Sequence, residues 1–132
     1  MVDLMLICKG RHVNSIASNL LIAMEAKKIG VDVAILFTES SLLAITNRKF
    51  ELSPLLTSYA DKIGENMKNM GLPVDTMELI KVTKEAGVPL YACPAWVGLL
   101  DLQGKFPPEI MEIDLQTALK AIGEAKKIVG TF

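Results

Sequence analysis

Val88-Pro-Leu-Tyr-Ala-Cys-Pro-Ala-Trp-Val-Gly-Leu-Leu-Asp-Leu102 joins a short apolar run to a helix start, and the joint is Cys93-Pro94. Val88, Leu90 and Tyr91 read as a buried strand, with Gly87 just ahead of it and Cys93 at its end. Pro94 has no N–H to donate but suits the first position of a helix, so Ala95 to Leu102 are expected to wind as one. Cys93 then occupies the N-cap, where unpaired backbone N–H groups and the positive end of the helix dipole converge. A thiol at such a point has a lowered pKa and a more available thiolate. A second reading stays open beside this one. Free cysteine is among the most buried residue types and often serves as a small hydrophobe.

Upstream, the same strand-then-helix grammar repeats. Leu4-Met-Leu-Ile-Cys8, within a strand-like segment from Val2, has the continuous apolar character of a buried parallel strand. From about Val13 to Ile29 the period changes to that of a helix. Ile16, Leu20, Ala23 and Met24 form its stripe, Asn14 is its expected N-cap, and Gly30 fits the position after its end. Val31 to Phe37 is the second strand, and the resulting βαβ unit should cross over right-handed. Ser40 to Ile45 suggests a short helix. Pro54 to Met70 reads as a longer one, with Leu55, Tyr59, Ile63 and Met67 four residues apart and Gly64 weakening it. Asp75 and Glu78 form a capping-box-like pair for a helix that Gly87 stops. About fifty residues thus separate the second strand from the Cys93 strand, long for such a connection, and insertions of this kind commonly cover a site or an interface.

Beyond the Cys93 helix, Gln103-Gly104 and Pro107-Pro108 mark a loop. Glu109 to Ile113 is a short strand. Asp114 caps a last helix whose apolar side carries Leu115, Ala118, Leu119, Ile122 and Ala125, and Ile128, Val129 and Phe132 read as a terminal strand. The alternation implies an α/β fold: a three-layer α/β/α sandwich around a parallel sheet of about five strands. The 132 residues fit one domain, 1–132, with a helical insertion at 48–73.

Composition narrows the function classes. The chain is 51% hydrophobic and 22% charged, with a formal net charge of −1, which is no footprint for a nucleic-acid binder. The apolar surplus suggests subunit contacts. Its longest apolar runs fall far below the roughly eighteen residues that span a membrane. With two cysteines and no signal peptide ahead of the first strand, a cytoplasmic protein with reduced thiols is expected.

In open α/β sheets, ligands bind beyond the C-terminal ends of the strands. Three turns should gather there: Cys8 to His12, Phe37 to Ser40, and Cys93-Pro94. The first turn lacks the glycine pattern of a nucleotide site. Lys9 and Arg11 are either anion ligands or solvated loop charges. His12, the only histidine, either pairs with Cys93 as a base or does not reach it. Cys8, Cys93 and His12 are too few for a one-chain zinc site, so neither metal nor cofactor is expected. Trp96, the only tryptophan, either walls a pocket for the thiol or simply packs the helix.

Taken together, Ala26-Lys-Lys-Ile-Gly-Val-Asp-Val-Ala-Ile-Leu-Phe-Thr38, Met67-Lys-Asn-Met-Gly-Leu-Pro73 and above all Glu78-Leu-Ile-Lys-Val-Thr-Lys-Glu-Ala-Gly-Val-Pro-Leu-Tyr-Ala-Cys93 resemble the DsrE/DsrF-like sulfur-relay family, in its peroxiredoxin-like branch. The resemblance runs over nearly the whole chain. It implies the parallel α/β/α sandwich, a homo-oligomer, and a persulfide held on the cysteine that Cys93 matches and passed to partner proteins. The branch usually follows this cysteine with a Ser/Met-rich turn, where Pro94-Ala-Trp-Val-Gly-Leu-Leu-Asp101 stands here. No Thr-x-x-Cys peroxidatic motif is present.

The expectation is therefore a sulfur carrier or sulfurtransferase using Cys93. Lys9, Arg11, His12, Pro94, Ala95 and Trp96 would surround the sulfur. The chain would form a dimer or trimer, with sulfur-relay proteins as partners and neither nucleic acid nor membrane. The alternative is a non-catalytic oligomeric binding module of the same fold, with Cys93 structural.

Overall fold

The computed structural model describes residues 2–130. Its strands are β1 (Leu4–Cys8), β2 (Val33–Phe37), β3 (Leu90–Ala92), β4 (Met111–Glu112) and β5 (Lys127–Val129). Its helices are α1 (Val13–Lys28), α2 (Ser40–Asn47), α3 (Ala60–Asn69), α4 (Thr76–Glu85), α5 (Pro94–Leu99) and α6 (Leu115–Glu124). Phe132, which the sequence reading adds to the last strand, lies outside the described residues.

The sheet runs in the order β4-β3-β2-β1-β5, and every pairing is parallel. All five residues of β2 are buried, as the central strand of a sheet covered on both faces requires. Register aligns the C-terminal ends: Cys8 stands opposite Phe37, and Phe37 opposite Ala92. β4 is shorter than the expected Glu109 to Ile113, because the three-residue β3 gives it only Tyr91 and Ala92 to pair with.

One face of the sheet lies under α1, α2 and α4. Ile16, Leu20, Leu42, Ile45, Leu79 and Ile80 pack there with Leu6, Val33, Ile35, Phe37 and Leu90. α6 covers the other face, where Ala121, Ile122 and Ala125 meet a small buried set, Met5, Ala34 and Leu36. This is a three-layer α/β/α sandwich. Among the described residues no helix is long and apolar enough to cross a membrane.

Several local expectations are corrected. His12, not Asn14, is the N-cap residue of α1, without a side-chain cap bond. The Asn14 side chain is committed elsewhere, its Oδ1 accepting from the Ser53 N–H at 2.9 Å. Pro54–Tyr59 is a 3₁₀ helix, and the α-helix starts only at Ala60. At three residues per turn a four-residue spacing no longer shares one face, and no residue of this segment is buried, with Leu55 86% and Tyr59 54% exposed. The helix after Cys93 ends at Leu99 rather than Leu102. On α6, Ala118 is buried, but Leu115 and Leu119 are exposed. Three terminators behave as read. Gly30 takes φ +84° after α1, a conformation that disfavours side chains. Asp75 accepts from the Glu78 N–H and Asp114 from the Thr117 N–H.

Candidate functional site

The C-terminal edge of the sheet carries the three expected turns. After β1, Lys9 and Arg11 are exposed and His12 is half-buried. Gly10 passes so close to α1 that an added Cβ would lie 2.6 Å from Ser15 Oγ, so only glycine fits. After β2, Ser41 fastens the first two turns together. Its Oγ lies 2.7 Å from the Cys8 carbonyl oxygen and accepts from the Thr38 N–H at 3.2 Å, while its own N–H donates to the Lys9 carbonyl at 3.1 Å.

That closure seals Cys8. It is fully buried, with Sγ 4.0 Å from Ser15 Oγ, and burial pushes its thiol up to about 11. A thiol held protonated in an apolar setting is a poor nucleophile.

Cys93 meets a different environment. Its N–H donates to the Phe37 carbonyl at 2.9 Å, which ties the end of β3 to the end of β2. Its own carbonyl accepts from the Val97 N–H and so opens α5. It is the N-cap residue, with φ −63° and ψ 117°, and its side chain makes no cap hydrogen bond. The residue is half-buried and packs with Ile7, Tyr91 and Ile122 around the small cluster under α6. Cys8 belongs to the large cluster on the opposite face. β2 also lies between their two strands, so the cysteines are two strand spacings apart, about 9–10 Å, beyond disulfide reach.

The expected site residues fall into two groups. Pro94 and Ala95 form the first turn of α5 beside Cys93, and Trp96 packs against the large cluster. Lys9, Arg11 and His12 follow β1, on the far side of the β2 turn. Arg11 lines a shallow cavity of about 160 Å³ with Ser40, Asn47, Lys49 and Glu51. Among the described residues no hydrogen bond or ion pair joins this group to Cys93, and no cluster of three or more His, Cys, Asp and Glu is placed to hold a metal.

Sequence reasoning finds the turn after β2 but not its most unusual residue. Glu39 adopts φ 53° and ψ −127° as the N-cap of α2. A side chain rarely occupies that region, and such outliers concentrate at functional turns. Nothing in the sequence marks it, because glutamate carries no left-handed preference. Glu39 stands two residues beyond Phe37, whose carbonyl receives the Cys93 N–H.

No protein-family model matches the chain, and no curated protein matches it. Among solved structures, the crystal structure of the ychN protein from E. coli is similar over 99% of this chain and 100% of that one, with a TM-score of 0.61 and 12% identity. A likeness at that identity is one of fold, and the fold of this chain is the DsrE/F-like α/β/α sandwich.

Proposed function

We propose that this protein is a cytoplasmic sulfur carrier or sulfurtransferase that holds a persulfide on Cys93 Sγ. The observation that carries the reading is the contrast between the two thiols. Cys8 is sealed and protonated, whereas Cys93 is partly accessible at the sheet edge with no cap hydrogen bond on its side chain. The resemblance of Glu78 to Cys93 to the sulfur-relay family supports it too. In the loading step the Cys93 thiolate attacks the outer sulfur of a donor persulfide. A new S–S bond forms to Cys93, the donor S–S bond breaks, and the donor leaves as a thiolate. Delivery is the same exchange in reverse, with the acceptor thiolate attacking the outer sulfur.

Each surrounding residue has a role in this reading. Pro94 starts α5, and the Ala95 and Trp96 N–H groups have no acceptor inside that helix. A six-residue helix contributes only modestly to a charged sulfur. Lys9, Arg11 and His12 serve a donor or acceptor protein arriving at the edge. The exposed Leu115 and Leu119 of α6, with Leu99 of α5, support a dimer or trimer through this face.

Incubation with a low-molecular-weight persulfide, followed by intact mass measurement, tests the reading. A gain of one sulfur atom, reversed by reductant, is expected for the parent and for Cys8→Ser, and none for Cys93→Ser. Equal loading of Cys93→Ser, or a native Cys93 that resists alkylation at neutral pH, overturns it. The packing of Cys93 against Met5, Ala34 and Leu36 favours a second reading, an oligomeric binding module with a structural Cys93. An unreactive Cys93 would establish that one.

A further inference from the structure

A cavity of about 400 Å³ lies between α1 and the inserted helix α3, far in sequence from Cys93. α1 presents Ala17 and Leu21 to it, and α3 presents Ile63 and Met67. Among the described residues no charged side chain lines it. α3 and the 3₁₀ helix before it have no fully buried residue, and of their side chains Met67 packs on the main core, so the insertion lines the gap without closing it. Its volume lies within the range of small-molecule sites, which are concave and mainly apolar with few polar groups.

Three polar side chains line the wall: Asn14, Ser18 and Thr76. Ser18 uses its hydroxyl hydrogen on the Asn14 carbonyl at 2.6 Å. The Asn14 Oδ1 is taken by Ser53, and no acceptor meets its amide N–H₂ among the described residues. Thr76 is the informative one. It is only 6% exposed, yet its hydroxyl has no hydrogen-bond partner among the described residues. Thr83, also buried on α4, bonds back to the Leu79 carbonyl at 2.7 Å. Thr76 is the first residue of α4 and has no helical carbonyl four residues behind it. Among the described residues the one fully enclosed side-chain polar atom without a partner is Asn19 Oδ1, so the Thr76 hydroxyl is still reached by solvent from the cavity, where an acceptor bound there can take its hydrogen.

We propose that this cavity binds an uncharged, mainly apolar small molecule bearing one oxygen acceptor, which the Thr76 hydroxyl and the Asn14 amide meet. An apolar cavity of about 150 Å³ accommodates benzene, so this one takes a molecule of about 16 non-hydrogen atoms. The lining has no cation for an acid and no carboxylate for an amine, so the ligand is neutral.

The test uses the full chain and the ketone-bearing naphthalene dye prodan, whose emission reports both polarity and hydrogen bonding at its carbonyl. Saturable binding at one dye per chain is expected. Decanol should displace the dye, and decanoate should do so at least about tenfold less well, because its charge would lie unpaired. Thr76→Val should weaken dye binding about threefold to tenfold and shift the emission to the blue. Ala17→Phe and Gly64→Leu fill the space from opposite walls, and each should abolish binding, whereas Lys105→Ala in the exposed loop after α5 should leave it unchanged. Gly64→Leu keeps the test open if Ala17→Phe fails to fold, since a Cβ at Gly64 meets only Val74 Cγ1, at 3.7 Å. The proposal is overturned by absence of saturable binding, by binding that survives the filling variants, or by equal displacement by the acid and the alcohol. It is also overturned if the filling variants change the oligomer's mass in light scattering without changing dye binding, which would make the groove a seat for a second copy.

Discussion

On the α1/α4 side of the sheet, Leu6, Cys8, Val33, Ile35 and Phe37 are each 1% exposed or less. On the α6 side the buried set shrinks to Met5, Ala34 and Leu36, and the covering helix leaves Leu115 and Leu119 in solvent. The two cysteines divide along the same line. Both end parallel strands, one residue apart in register across β2, but they pack on opposite faces. The thickly covered face removes its thiol from chemistry. The thinly covered face leaves its thiol within reach, and leaves apolar surface on which a second copy can close.

The largest expected effect measures that asymmetry directly. Ile35→Ala on the thick face should cost about 2–5 kcal/mol in urea unfolding, the lost transfer energy plus a cavity. Leu119→Ala should cost under about 0.5 kcal/mol if α6 faces water, since surface changes rarely exceed that. A cost for Leu119→Ala near that of Ile35→Ala, varying with protein concentration, would mean that a second copy covers α6 in solution.

The thiols sharpen the comparison with a smaller number. The Cys8 thiol is raised from 9.0 to about 11 by burial. Two pKa units reduce its thiolate at neutral pH about a hundredfold below that of an ordinary thiol, before access is counted. Iodoacetamide should therefore label Cys93 in the native protein and reach Cys8 only on unfolding. Stability should change with pH as well. The folded chain holds the Cys8 proton more tightly than the unfolded one, so this contribution is complete below about pH 9 and is lost as pH rises toward 11. The loss amounts to about 2–3 kcal/mol at most, and Cys8→Ala should flatten the profile between those limits. A profile unchanged by Cys8→Ala would mean that the thiol is not sealed.

Which of these features the sequence discloses depends on how local their causes are. The runs Leu4 to Cys8 and Val33 to Phe37 are apolar throughout because both faces of a parallel strand are covered, so β1 and β2 are legible from composition alone. Pro94 likewise marks the start of α5 and thereby makes Cys93 its N-cap. The features that escape depend on distant partners. Asn14 has the chemistry of a cap, but Ser53, 39 residues on, claims its carbonyl oxygen. Periodicity finds the apolar side of α6 but carries no information on how far the sheet extends beneath it. The space between α1 and α3 is lined from four separate stretches of chain, and no residue spacing announces it. Lys9, Arg11 and His12 group with Cys93 in the sequence because all come after strands, and only the strand order inserts the β2 turn between them.

That turn yields the smallest effect. Glu39 holds φ 53° and ψ −127° in the turn that stands between the sealed and the open thiol. The conformation forces its Cβ against the backbone, a strain of about 1–3 kcal/mol. Glycine relieves that strain, but its freer unfolded chain returns about 0.5–1 kcal/mol. Glu39→Gly should therefore stabilise the protein by about 1 kcal/mol, raising Tm by about 4 °C for a chain of this size. Under the proposed carrier function, the rate of sulfur loading then separates two roles for the turn. If it only connects β2 to α2, the variant is more stable and loads sulfur at the parent rate. If the strain holds the edge open beside Cys93, the variant is equally stabilised but loads more slowly, because a relaxed turn no longer fixes the Phe37 carbonyl that anchors the Cys93 N–H. A variant less stable than the parent would show that the Glu39 side chain contributes more to the edge than its backbone strain removes.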